Sequence, residues 1–402
     1  MTRKEVIRTL SALDLPVARA TLFLAAWAAI GAPFALWQGG AAYFLLETFS
    51  RTLLVFGLIA AAVRSAEDVR RLLGVAAGGA AFFSMMAVRG TGGRGGGAGG
   101  YDPNDSAMFM VSSIPFLVFF TLFGRSMIAR GAAACGTLFV LYGIIQTQSR
   151  GGFVALVVVL GFMVLMLRGV KPALRVAVVS IVVLASIPVA TTEFWERMET
   201  IIELDDGYGD SELGGRRNIW GRALGYTASN PLTGVGIANF TVAEGRHPAI
   251  QARIEQGRGT KYSAAHSMWF QTLAELGIPG FLAFAMVFVS ALLGLRRIQV
   301  GRSPPPPGFS AKEVQALAGI LMAAIVGSMA AGVFLSNAYS GLVWCTLGIA
   351  AGLLKVTQIQ GSPLRPNEGR KVRGQGPTYP GLARPPTLDR LPSAMTKKMY
   401  PE

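Results

Sequence analysis

Apolar runs of roughly 17 to 22 residues recur along the chain, separated by short polar stretches rich in arginine and lysine. At about 1.5 Å per residue, a helix of that length crosses a hydrocarbon core of about 30 Å. The pattern predicts about ten spanning helices, near 17–38, 43–63, 72–88, 107–124, 131–147, 152–168, 173–190, 273–294, 315–336 and 340–356. Arg19, Glu47 and Arg51 interrupt or border the first two. A cleaved signal peptide competes for the first run, because Arg3, Lys4 and Arg8 precede it, but the run is longer than a signal's apolar region. The alternating pattern of an outer-membrane barrel is absent, so the fold class is an all-α polytopic integral membrane protein.

The polar stretches orient these runs. Arg64, Arg70 and Arg71, then Arg125 and Arg130, then Arg168, Lys171 and Arg175, then Arg296, Arg297 and Arg302 all fall on one side. The positive-inside rule makes that side cytoplasmic, with both termini inside. Residues 1–190 then form the N-terminal transmembrane helices and 266–356 the C-terminal ones. Residues 357–402, rich in Pro, Gly, Arg and Lys, read as a disordered cytoplasmic tail whose charges suit anionic lipid. Between the two helical parts, 191–265 is one long extracytoplasmic loop with short helices, and loops of that length usually carry function. Within it, Arg217 to Ser229 reads as an amphipathic helix with Ile219, Trp220, Leu224 and Tyr226 available to pack, ended by Asn230-Pro231. In another outer loop, the run from Gly95 to Gly100 lacks the strand and the Lys-Ser/Thr of a phosphate loop, which leaves a flexible linker.

Composition supports the bilayer as solvent. With 52% hydrophobic and 15% charged residues over 402 positions, the chain is too apolar for a soluble enzyme of its size. The formal net charge of +15 would suit nucleic acid, but the basic residues sit in short loops and the tail, which is topogenic charge and argues against a nucleic-acid partner. Cys135 and Cys345 lie far apart inside apolar runs, without metal-ligand spacing, and read as packing residues.

Candidate chemistry clusters on the outer side. Gln148-Ser149-Arg150-Gly151-Gly152 sets Arg150 at a membrane boundary, where it can dock an anionic headgroup or simply snorkel. Arg216-Arg217-Asn218-Ile219-Trp220 supplies two forked guanidiniums beside an aromatic able to stack on a sugar, though a solvated basic face explains the pair equally. The GxG of Pro231-Leu232-Thr233-Gly234-Val235-Gly236 has no dinucleotide-binding context and reads as a turn. His266 opens the eighth run in Ala265-His266-Ser267-Met268-Trp269. With His247 the only other histidine, no di-histidine metal site is available. An imidazole there can accept a proton from an attacking hydroxyl, or serve as an interfacial or capping residue.

Taken together and in this order, Ser149-Arg150-Gly151, Arg216 to Trp220, Pro231 to Gly236, and Ala265-His266-Ser267 followed by Glu275-Leu276-Gly277 resemble the family of bacterial O-antigen ligases, O-antigen and exopolysaccharide polymerases and protein O-oligosaccharyltransferases. Asp102-Pro103-Asn104-Asp105 also looks familial, and the likeness covers roughly 100–350. Ser267 stands where many relatives have Asn, which resembles the branch that accompanies exosortase systems. Relatives usually have about twelve spans.

The resemblance implies a bacterial inner-membrane enzyme that moves a glycan from a polyprenyl-diphosphate carrier to an acceptor hydroxyl on a glycan, lipid or protein, with no cofactor and no metal. It implies Arg150, Arg216 and Arg217 as diphosphate ligands and His266 as base, with Trp220, Trp269 and Glu275 as sugar-stacking or supporting residues. A polymerase using the same donor is the closest alternative. A lipid or polysaccharide transporter is the more distant one, disfavoured because few ionisable residues lie mid-span and no inverted repeat is visible.

Overall fold

The computed structural model describes residues 14–90, 102–199, 215–257 and 263–361, all helix, turn or connection, with no strand among them. Each predicted run meets a helix. In chain order these are α1 (Pro16–Gly31), α2 (Gln38–Ala62), α3 (Ala66–Arg89), α4 (Pro103–Phe123), α5 (Met127–Gln146), α6 (Arg150–Met166) and α7 (Pro172–Ser186). The loop adds α8 (Thr192–Glu199), α9 (Arg216–Ser229), α10 (Phe240–Arg246) and α11 (Pro248–Glu255). The chain then returns through α12 (Met268–Gln299), α13 (Ala311–Ala331) and α14 (Gly341–Gly361). Among the described residues nine helices are long and apolar enough to cross a membrane, and α6, at 17 residues, is the shorter tenth. The glycine run 95–100 and the tail beyond α14 lie outside the described residues.

Local chemistry sets the helix starts. Ser65 and Asp68 form a reciprocal capping box on α3, while Asp102, Ser126, Ser149, Ser267 and Ser310 cap α4, α5, α6, α12 and α13 through their side-chain oxygens. The charges that interrupt the first two runs pair locally, Arg19 with Asp14 and Arg51 with Glu47 one turn earlier.

Helices α4, α13 and α14 form the interior. α4 packs on α3, α5, α6 and α13; α12 packs on α1 and α13; α14 packs on α2. Ser112 and Ser328 hydrogen-bond across the α4–α13 seam at 3.0 Å. Gly348 and Gly352 let α14 approach the α2 backbone near Phe56 and Val63, the small-residue contact that suits helices in lipid. Outward faces stay apolar. Leu282, Met286, Val289 and Leu293 form an exposed stripe on α12, and only 6% of the α7 apolar stretch is buried. Water would penalise such a surface, whereas hydrocarbon does not.

Two sequence expectations shift. Cys135 is exposed on α5, not packed, because its side of the helix faces away from α3 and α4. On α9 the buried residues are Ile219, Ala223 and Thr227, while Leu224 is 51% exposed. The face is set by docking on α12, which hydropathy alone does not specify.

The helix ends remote from the loop are tied by charge. Arg70 on α3 reaches Glu313 on α13 at 2.7 Å and the Phe123 carbonyl of α4 at 2.6 Å. Lys355 donates to the carbonyls of Ala60 and Ala61 at the C-terminal end of α2, where a cation meets the negative end of the helix dipole. Breaking one side of a buried pair strands the other charge, at a cost of about 3–5 kcal/mol. Glu313→Ala is therefore expected to lower the apparent melting temperature in detergent sharply, and Arg70→Leu with Glu313→Leu much less. Equal losses in the two would show that the pair does not act as a unit.

Candidate functional site

The site grows from a turn between two capped helices. Asp102 caps α4 by accepting from the backbone N–H groups of Asn104 and Asp105 at 2.7 and 2.9 Å. This holds Asn104 where its Oδ1 accepts from the Ser149 hydroxyl at 2.8 Å, and Ser149 in turn caps α6 through the Gly152 N–H. Gln148 bends the chain between α5 and α6 with a left-handed φ of 48°, which is uncommon for a residue with a side chain. Arg150 consequently starts α6 at the mouth of a small polar pocket.

Two loop helices complete that pocket. α8 seats Phe194 edge-on against Phe153 of α6 at 5.8 Å and brings in Arg197. α9 carries Arg216 and Trp220 one turn apart on one face. The Arg216 guanidinium lies over the Phe334 ring at 5.7 Å, and Trp220 stacks on Phe270 at 4.9 Å while its Nε1 donates to the Ala265 carbonyl. Arg150, Arg197 and Arg216 thus line one pocket with Asn104, Gln148 and Ser149, floored by Phe334 and Leu335.

His266 does not line that pocket. It is exposed, with a left-handed φ of 48°, and its neighbours hold it in place. Ala265 is tied to Trp220 of α9, and the Met268 N–H donates to the Gly332 carbonyl at 2.8 Å, two residues before Phe334. Arg217 is exposed and outside the pocket lining. Trp269 points into the bundle, where its Nε1 donates to the Met329 carbonyl and its ring meets Phe284 and Phe288. Trp220 has one face covered by Phe270 and buttresses α9.

Glu275 lies inside, at a break in α12. Gly277 has φ 66° and ψ −173°, and Pro279 supplies no N–H, so the helical ladder cannot continue there. The segment from Pro231 to Gly236 fills the gap. Val235 and Gly236 donate to the carbonyls of Ala274 and Glu275, both at 2.9 Å, and Ile278 donates to the Pro231 carbonyl at 2.8 Å. Trp27 of α1 donates to the Leu276 carbonyl at 3.0 Å. The fully buried Glu275 carboxyl accepts from the Tyr339 hydroxyl at 2.8 Å, and from the backbone N–H groups of Phe240 and Ala238. Burial pushes the Tyr339 hydroxyl well above its ordinary pKa, which keeps it a donor.

A second buried lock holds α9 to α10. Arg222 makes a two-pronged pair with Glu244 at 2.8 and 2.6 Å, and the Tyr226 hydroxyl donates to the same carboxylate at 2.8 Å. Burial and that carboxylate raise the Tyr226 pKa, so the proton stays on. Sequence reading missed Arg197, Arg222, Glu244 and Tyr339. Only Arg197 left a trace, in the Phe194 and Met198 spacing of a short amphipathic turn after α7.

Residues 135–285 match the family model Wzy_C, described as O-Antigen ligase. Over that segment the chain is similar to the O-antigen ligases. The matched segment holds the three pocket arginines, Arg150, Arg197 and Arg216, together with His266 and the helix break after Glu275, while Asn104, Phe334 and Leu335 join the pocket from outside it. No curated protein matches the chain in sequence. A solved chain from the structure described as "Structural coordination of polymerization and crosslinking by a peptidoglycan synthase complex" superposes with a TM-score of 0.46 at 15% identity, covering 85% of this chain and 98% of that one.

A side chain at Gly277 would be strained by the positive φ, and its Cβ would collide with the Leu232 carbonyl oxygen. Gly277→Ala is expected to cost about 3 kcal/mol, combining backbone strain and displacement of the inserted segment. A melting curve in detergent checks this, and an unchanged curve would mean that the break tolerates a side chain.

Proposed function

We propose that the protein transfers a glycan from a polyprenyl-diphosphate carrier to an acceptor hydroxyl, as a ligase on the extracytoplasmic face of the bacterial inner membrane. The observation that carries this reading is the meeting of Arg150 and Arg216, from separate helices of the matched segment, in one polar pocket. The arginine-bearing connections 63–65, 124–126 and 300–310 lie at the opposite ends of the helices, which supports a cytoplasmic assignment for that side and an outside one for the pocket.

In the reaction, the acceptor oxygen forms a bond to the anomeric carbon as the bond from that carbon to the diphosphate oxygen breaks. The leaving diphosphate keeps the electron pair and stays on its polyprenyl chain. Arg150 and Arg216 would meet the charge that grows on it, with forks matched to phosphate oxygens and little reorganisation needed at the moment of transfer. His266 would take the acceptor proton. Exposed and held in a left-handed backbone, it is reachable by an acceptor arriving from the aqueous side. The apolar outer faces of the helices suit a polyprenyl tail alongside lipid. No step calls for a metal or cofactor.

The test is transfer from a purified polyprenyl-diphosphate glycan in nanodiscs with EDTA present. Wild type is expected to form product, and His266→Asn, which keeps a residue tolerant of the left-handed backbone, to lose about 10²- to 10⁴-fold in rate with melting temperature retained. Full activity in that variant would remove His266 as base, and loss of wild-type product in EDTA would overturn the metal-free reading. In a deletion strain, polymer that is intact but unattached supports ligation, whereas accumulated single units would shift the assignment to a polymerase.

A further inference from the structure

Arg197 is the third guanidinium at the pocket, and the fold goes to some length to bring it there. It rides on α8, a helix of 8 residues. Phe194 and Met198, one turn apart on that helix, are both buried, and Phe194 meets Phe153, three residues along α6 from Arg150. Arg197 is half-buried, with its Nε shielded from solvent. It is therefore a seated residue, not a cation waving from a surface loop. Three guanidiniums converging on one space repel each other, and each added negative charge in that space relieves the repulsion with all three at once. Such a pocket discriminates by ligand charge and by the number of oxygen edges that forked donors can grip.

We propose that Arg197 is a donor-binding residue that engages the second phosphate of the leaving group, and so makes the site select a diphosphate-linked donor over a monophosphate-linked one. This rests on the reading of Arg150 and Arg216 as leaving-group ligands and adds to it the residue that sets the number of phosphates. A glycan on a diphosphate carrier has two charged groups in the link, and one on a monophosphate carrier has one. Arg197 therefore has a second phosphate to grip in the first case and not in the second.

The experiment uses the full chain in nanodiscs, titrated calorimetrically with inorganic pyrophosphate and with inorganic phosphate. Donor kinetics are followed in parallel with a polyprenyl-diphosphate glycan. Wild type is expected to bind pyrophosphate at least about tenfold more tightly than phosphate. Arg197→Gln should lose that preference and raise the donor KM about tenfold, since a charge-assisted contact is removed. Arg197→Lys, which keeps the charge and loses the fork, should recover part of it. Glu196→Gln, on the exposed side of α8, should behave as wild type. Melting temperatures show whether α8 remains seated in each variant.

Pyrophosphate binding by Arg197→Gln as tight as wild type, alongside weakened binding in Arg150→Gln, would overturn the role of Arg197 and leave the leaving-group reading standing. Absence of pyrophosphate binding in wild type, with unimpaired transfer by Arg150→Gln, would overturn both.

Discussion

The break in α12 is the constraint on which the rest of the site depends. A helix interrupted at Gly277 and Pro279 exposes the carbonyls of Ala274, Glu275 and Leu276, and burying them unpaired costs several kcal/mol in a low-dielectric interior. Those carbonyls accept from Val235, Gly236 and Trp27, so the loop and α1 are both fastened to the same gap. Glu275 extends the fastening sideways, joining α12 to Tyr339 before α14 and to the start of α10. The extramembrane segment is thereby bolted into the bundle by main-chain hydrogen bonds. Helix α9, which carries Arg216, leads directly into that bolt.

From this anchor the geometry propagates outward through strained and paired residues. Among the described residues the three non-glycine positions with positive φ are Gln148, Ala238 and His266. One turns the chain into Arg150, one donates its N–H to Glu275, and one is the candidate base. Strain of this kind persists only where the surroundings over-determine it. Here they do so through the Asn104–Ser149 bond, the Glu275 network and the Trp220–Ala265 bond respectively. The Arg222–Glu244 pair adds a further buried tie within the loop, between α9 and α10.

The membrane acts on the same architecture from outside. Lipid gives helices no hydrophobic reason to associate, so the bundle relies on small-residue contacts such as Gly348 and Gly352 against α2, on the Ser112–Ser328 bond and on buried charge at the far end. A pocket of arginines is affordable at a helix boundary because the guanidiniums sit where irregular backbone and polar side chains replace hydrocarbon.

The chain's own order of residues determined the helices and their chemistry. Long unbroken runs of apolar residues dictate spanning helices because, closed barrels of alternating pattern aside, only a helix satisfies the backbone in lipid, and Arg150 and His266 stood out as polar groups at the ends of such runs, with Arg216 in the loop between them. The glycines and prolines of the two turn motifs were visible too, but not that one fills the break in the other. That pairing depends on carbonyls of one segment meeting N–H groups of another, and hydropathy carries no record of it. For the same reason Arg197 passed unnoticed while Arg217, its equal in chemistry, was grouped with Arg216. Which cation faces the pocket is fixed by the docking of α8 and α9, a choice made between helices and not along the chain.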